Sequence, residues 1–230
     1  DCGPGEFGHF RNFFSGVTTD RRLQGVVIAF VLGAFLEGVA GFGTPVAISG
    51  AILISLGFRP ITAAVVALIS NGAPVAFGGL ALTSTVAAQV TGTDLFAIGK
   101  AAGIAVSLLG TITPFVISCV LAGIRRSWEI APVLFGVGFF FAGLQYLIAT
   151  FINPYLPMFL SSAITLLCFG AFLKFWQPKN IFYFPDDNQC AETTPAEIKP
   201  LLRASIPFIL LTMIVFFWAD LQYTGFKAQL

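Results

Sequence analysis

The sequence predicts an all-α, polytopic membrane protein that contains a re-entrant hairpin and a broken transmembrane helix. Of its 230 residues, 57% are hydrophobic and only 10% are charged, whereas soluble domains carry about 25% charged residues. The mean hydropathy is +0.89, and several apolar runs approach the ~20 residues that a helix needs to cross a bilayer. Glycine and proline interrupt two of these runs, so a hairpin and a broken helix are expected beside simple spans.

The charge and cysteine content exclude several classes of protein. The net charge is +1, and no basic cluster is interleaved with aromatic residues, so no nucleic-acid partner is expected. The spacing of the cysteines fits neither a CxxC motif nor a metal site, so we expect no metal, no cofactor and no disulfide framework. The four cysteines are Cys2, Cys119, Cys168 and Cys190.

The chain divides into a membrane core and flanking polar segments. We expect a cytoplasmic N-terminal segment at 1–22, the membrane core at 23–176, a cytoplasmic loop at 177–199, a further transmembrane span at 200–219 and a truncated end at 220–230. The core holds the hairpin, the broken helix and three spans, the spans being predicted at 95–123, 130–151 and 157–176. Because the chain begins at Asp1 and stops soon after an apolar run, we expect an internal fragment. Its partners would then include N- and C-terminal spans of the same chain.

The first unit of the core is an apolar segment with a break. A helix is predicted over 23–40, a break at 41–44, and a shorter helix from Pro45, where proline suits the first helical position, to about Leu56. Residues 23–56 would make a helix of ~50 Å, too long for one straight pass through ~30 Å of hydrocarbon. The segment therefore either crosses twice or forms a re-entrant hairpin with its tip at 41–44.

The second unit, residues 61–90, repeats this pattern with a break at 70–74. The sequences of 43–50 and 72–79 are identical at five of eight positions, and both contain Gly-x-Pro-Val-Ala. We interpret them as two breaks of similar construction.

Positive charge favours the hairpin interpretation. If 23–56 is re-entrant and 61–90 crosses once, ten basic residues fall on one side, which is cytoplasmic by the positive-inside rule. Only Lys100 and Lys227 then fall on the other side. The alternative, in which the first unit crosses twice and the second forms the hairpin, has the same end points and stays open. The ten residues are Arg11, Arg21, Arg22, Arg59, Arg125, Arg126, Lys174, Lys179, Lys199 and Arg203.

The two breaks predict a binding site for a small anion. Helices that open at Pro45 and Pro74 would face each other near the middle of the membrane, and each N-terminus would offer N–H groups and a partial positive charge. Secondary transporters hold substrate carboxylates in this way. The candidate binding residues are Gly41, Phe42, Gly43, Thr44, Pro45, Ser70, Asn71, Gly72, Ala73 and Pro74.

Glu37 is the only acidic residue well inside an apolar segment. An ionised carboxylate is costly there, so the side chain is a candidate for binding and releasing a proton during turnover. The structural alternative is a protonated glutamate hydrogen-bonded to a neighbouring carbonyl group.

These motifs resemble the bacterial L-lactate permease family. The likeness is carried by residues 33–48, which include Gly-Val-Ala-Gly-Phe-Gly-Thr-Pro-Val-Ala-Ile, and by 71–78, 89–92 and 172–178. The resemblance implies a multi-pass plasma-membrane (bacterial inner-membrane) proton symporter for lactate and related 2-hydroxy acids such as glycolate, and no enzymatic activity. Its partners would be the carboxylate substrate, protons and the lipid bilayer. Sodium coupling through Ser70 and Asn71 stays an alternative, as do, from different classes, an intramembrane enzyme and a channel.

Overall fold

The computed structural model describes residues 18–41, 43–73, 75–176, 178 and 180–184. Phe42, Pro74 and the predicted span at 200–219 lie outside the described residues. In the described part of the chain the secondary structure is helical, which confirms the predicted all-α class.

Four of the described helices are long and apolar enough to cross a membrane. They are α1 (Arg21–Ala40), α5 (Leu95–Ala122), α6 (Ile124–Ile152) and α7 (Pro157–Phe175). Three shorter helices lie between α1 and α5: α2 (Thr44–Ser55), α3 (Pro60–Gly72) and α4 (Gly78–Thr91). The prediction of a polytopic membrane protein is therefore confirmed, and the predicted start of the first helix was wrong by two residues.

Helix α1 is the central element of the bundle. In its apolar stretch 83% of the residues are buried, against 39%, 44% and 39% in α5, α6 and α7. A helix that is apolar on every face is expected to be surrounded by other helices. The Asp20 side chain caps its N-terminus by accepting from the Arg22 backbone N–H (2.9 Å). Its middle, Val26–Leu32, is π-helical, and it ends where Gly41 adopts φ +62°.

Small residues bring α5 and α6 into close contact. A Cβ atom added at Gly138 would lie 2.8 Å from the Thr111 Cα atom, and Phe141 packs edge-on against Phe30 of α1 with ring centroids 5.0 Å apart. Close approach of backbones at glycine is how membrane helices gain packing energy.

Several chain segments meet at one end of the bundle. The Arg21 guanidinium donates to the Leu56 carbonyl oxygen (2.8 Å), so α2 returns to the level at which α1 begins. The Arg22 guanidinium donates to the carbonyl oxygens of Arg126 (2.5 Å) and Asn180 (2.8 Å). Helices α1 and α2 thus form an antiparallel hairpin, and its re-entrant placement in a bilayer stays a prediction.

The opposite end of the bundle holds the 153–156 turn and the start of α5. A Cβ atom added at Gly99 would lie 3.4 Å from the Pro154 Cβ atom. Arg59 and Arg125 therefore lie towards one end, and Asp94 and Asn153 towards the other. The compartment that each end faces stays a prediction.

Candidate functional site

The structure brings the two breaks together. Gly41 ends α1 and Gly79 lies in the first turn of α4, and a Cβ atom added at Gly41 would lie only 2.8 Å from Gly79 Cα and 2.9 Å from Gly79 N. Both residues have positive φ, +62° and +53°, a conformation that glycine adopts without strain. Glycine is needed at Gly41 both for this conformation and for backbone contact between the breaks.

Glu37 lies at the same junction. Its side chain is 4% exposed, and a Cβ atom added at Gly78 would lie 3.1 Å from both Cγ and Cδ of Glu37 and would overlap its Oε1. Gly78 is the first residue of α4, so the carboxyl group occupies a niche at a helix N-terminus. The partial positive charge of that terminus stabilises a carboxylate there.

The second break lies further along the chain than the sequence predicted: α3 ends at Gly72 and α4 begins at Gly78, whereas the break was predicted at 70–74. A 3₁₀ turn, Val75–Phe77, lies between the two helices. The hydroxyl groups of Thr83 and Ser84 each donate to the Ala76 carbonyl oxygen at 2.8 Å. These bonds from the first two turns of α4 hold the turn as a separate element, which is why the helix begins at Gly78.

The backbone of α4 is strained beside this junction. Ala81 is fully buried and has φ +54°, a conformation that costs a residue with a Cβ atom about 1–2 kcal/mol. Strained backbone of this kind clusters at ligand sites and switch regions.

Hydrogen bonds within the first break hold its backbone. The N–H of Thr44 donates to the Gly41 carbonyl oxygen (3.3 Å) and that of Val46 to the Gly43 carbonyl oxygen (3.1 Å). The donors predicted to be unpaired at this helix start therefore have backbone partners. Gly43 has φ +87° and open space around its Cα atom, and Thr44 is exposed while Pro45 is buried.

The remaining candidate residues of the second break differ in their environments. The Ser70 hydroxyl donates to the Val66 carbonyl oxygen (2.8 Å). The Oδ1 atom of Asn71 is buried and accepts no hydrogen bond from the described residues. Gly72 is exposed and Ala73 is buried.

The junction lies near one end of the bundle, and its predicted depth near the middle of the membrane stays a prediction. A Cβ atom added at Gly38 would lie 2.9 Å from Phe159 N and 3.3 Å from the Met158 carbonyl carbon, and both residues are in the first turn of α7. The physical reason is the length of α1. Twenty helical residues span about 30 Å, so its C-terminus reaches the end that carries the 153–156 turn.

Polar side chains in α6 and α7 add a feature that the sequence interpretation missed. Gln145 and Thr165 are fully buried. The Gln145 Nε2 donates to the Met158 sulfur atom at 3.3 Å, next to the Gly38 contact. The sequence could have indicated this feature, because Gln145 is an amide inside the apolar run of 130–151. Among the described residues, no group of three or more His, Cys, Asp or Glu side chains could hold a metal ion.

A buried ion pair ties the opposite end of the bundle. Arg22 is 1% exposed and Asp20 is fully buried, and their side chains are joined at 2.6 Å. The Phe182 backbone N–H also donates to Asp20 (3.1 Å). A cavity of about 380 Å³ at this end is lined by Arg22, Arg126 and Glu129, among others. Because the pair holds three chain segments together, we assign it a structural role.

The comparison with known proteins identifies the family of the chain. A family model described as L-lactate permease matches residues 3–228. The chain belongs to the L-lactate permease family. It is 43% identical over 223 residues to the L-lactate permease of Escherichia coli strain K12. It is 39% identical over 224 residues to that of Bacillus subtilis strain 168 and over 227 residues to the glycolate permease GlcA of E. coli K12.

These relatives are longer than the chain. The alignments cover 94%, 93% and 93% of the chain but 40% of each relative. No solved structure matches the chain. The three relatives are named as permeases, which are transporters. With four apolar helices of spanning length in the described part, the chain is a multi-pass protein of the bacterial inner membrane.

Proposed function

We propose that the protein carries L-lactate and related 2-hydroxy monocarboxylates, such as glycolate, across the membrane together with protons. The observation that supports this most strongly is the junction of the two breaks. Gly41 lies against Gly79, and Glu37, an acid that is 4% exposed, lies against Gly78. Broken helices beside a buried acid are what a transporter of a small anion and a proton requires. The names of the relatives, lactate and glycolate permeases, support the substrate class.

In this proposal the substrate binds beside the breaks. No atom of the described residues lies within 4 Å of a Cβ atom added at Gly43 or Gly72, so a small ligand can approach the backbone there. The exposed Thr44 and the buried Asn71 Oδ1 supply polar contacts.

Glu37 is the proposed carrier of the proton. A carboxylate substrate entering near it favours the protonated side chain, because two negative charges repel each other in a medium of low dielectric constant. Loading the anion therefore promotes loading the proton, which is the coupling that symport needs.

Sodium coupling is the second candidate because of Asn71. Its Oδ1 atom is buried and accepts no hydrogen bond from the described residues, and amide oxygens are suitable ligands for hard cations. The neighbouring Ser70 hydroxyl donates to Val66 and keeps its lone pairs available as a further ligand.

The test is lactate-dependent proton movement in vesicles that contain the full-length protein and no sodium. An inward lactate gradient should drive alkalinisation of the outer solution, and glycolate should do the same. Lactate uptake that needs sodium and moves no protons would replace proton coupling with the sodium alternative. The same measurement is repeated with sodium added. Absence of lactate flux both with and without sodium would contradict the proposed substrate class.

A further inference from the structure

Gln145 is a buried amide whose hydrogen bonding is incomplete. Its side chain is 0% exposed, and within the described part of the chain its Oε1 atom accepts no hydrogen bond. Its Nε2 donates to the Met158 sulfur atom, and a thioether is a weak acceptor. Buried polar groups in native proteins nearly always have partners, so an unpaired one calls for a physical explanation.

The amide lies close to the segment that carries the buried acid. Met158 contacts Gln145 through its side chain. Its carbonyl carbon would lie 3.3 Å from a Cβ atom added at Gly38, the residue after Glu37. One methionine therefore separates Gln145 from the α1 backbone at the junction of the breaks.

The Met158 side chain lies against the Gln145 amide and can make room for a ligand there. Met158 is fully buried, and its flexible, unbranched side chain can repack at little cost. Thr165 lies seven residues beyond Met158 on the same face of α7, about 10 Å further along the helix. Its hydroxyl oxygen is also buried and bonds to none of the described residues.

We propose that Gln145 recognises the 2-hydroxyl group of the transported acid. Its Nε2 donates to the hydroxyl oxygen and its Oε1 accepts the hydroxyl proton, a pairing that a carboxylate or a methyl group cannot provide. Met158 moves away from the amide when the substrate binds. The inference rests on the proposed function and makes Gln145 the residue that distinguishes lactate from propionate, its analogue without the hydroxyl group.

The experiment is lactate counterflow in vesicles that contain the full-length protein, with unlabelled L-lactate or propionate as competitor. The wild-type protein should be half-inhibited by lactate at a lower concentration than by propionate. In Gln145→Leu the ratio of the half-inhibiting propionate concentration to the half-inhibiting lactate concentration should fall about tenfold, because one good hydrogen bond is lost with lactate only. Gln145→Met, which is unbranched and of similar size, gives the same comparison if leucine impairs folding. Gln89→Leu, an exposed glutamine of α4, is the matched control and should leave the ratio unchanged.

A different result is expected if Gln145 does not contact the substrate and serves only the fold. Gln145→Leu then leaves the ratio at its wild-type value whatever its thermal stability, and this outcome would overturn the inference. Absence of lactate counterflow in the wild-type protein is a separate result, because it contradicts the proposed function itself.

Discussion

Replacing Gly78 with alanine tests whether the start of α4 positions the Glu37 carboxyl group. The added methyl group would lie 3.1 Å from Cγ and Cδ of Glu37, whereas carbon atoms in contact lie ~3.5–4.0 Å apart. The Cγ and Cδ atoms must therefore move by roughly 0.4–0.9 Å, and the overlapping Oε1 atom by more, in a site where Glu37 is 4% exposed. Such overpacking costs about 1–3 kcal/mol, more than the ~0.5–1 kcal/mol gained by removing a helical glycine.

The assay combines thermal stability with uphill lactate uptake, both in the full-length protein. We expect Gly78→Ala to lower stability and to reduce uphill uptake about tenfold, which corresponds to ~1.4 kcal/mol. Gly136→Ala in α6 is the control, because an added Cβ atom there has no neighbour within 4 Å. Adding Glu37→Asp to Gly78→Ala shortens the acid and should restore stability. If Gly78→Ala matches the wild type in both measurements, Glu37 does not occupy this niche.

Two further predictions concern the opposite end of the bundle. Arg22→Gln leaves the buried Asp20 without its guanidinium partner and should lower the free energy of unfolding by about 3–5 kcal/mol. The exposed Arg125→Gln should change it by less than about 0.5 kcal/mol, and equal thermal shifts would contradict a structural role for the pair. Cysteines introduced singly at Asp94 and Arg59 test the topology: an impermeant thiol reagent on intact cells should label the first only. Labelling of Arg59→Cys would overturn the hairpin orientation.

The breaks and long helices were predictable because their causes are local. An uninterrupted apolar run predicts a spanning helix, and glycine followed by proline interrupts one whatever the tertiary context. The first break was predicted at 41–44 and α2 begins at Thr44. The burial of Glu37 followed from its place in an apolar run in the same way.

The position of the breaks along the bundle and the start of α4 depend on contacts beyond the neighbouring residues. Gly38 contacts the first turn of α7, more than a hundred residues away along the chain. No local sequence pattern determines this position of the first break along the bundle. The helix start at Gly78 depends on hydroxyl groups of Thr83 and Ser84 folding back on Ala76. Gln145 differs from the breaks and from the start of α4, because the sequence itself shows an amide in an apolar run. Only the contact with Met158 could not be predicted.

The most direct test of proton coupling is Glu37→Gln. Glutamine keeps the shape of the protonated acid but cannot release a proton, so counterflow and uphill uptake should separate when both are measured in the same vesicles. We expect Glu37→Gln to exchange lactate across the membrane at a rate within about tenfold of the wild type, because the loss of one neutral contact is worth roughly 0.5–1.5 kcal/mol. Uphill accumulation driven by a proton gradient should be abolished. Wild-type accumulation in Glu37→Gln would show that the proton travels elsewhere and that the buried acid is structural.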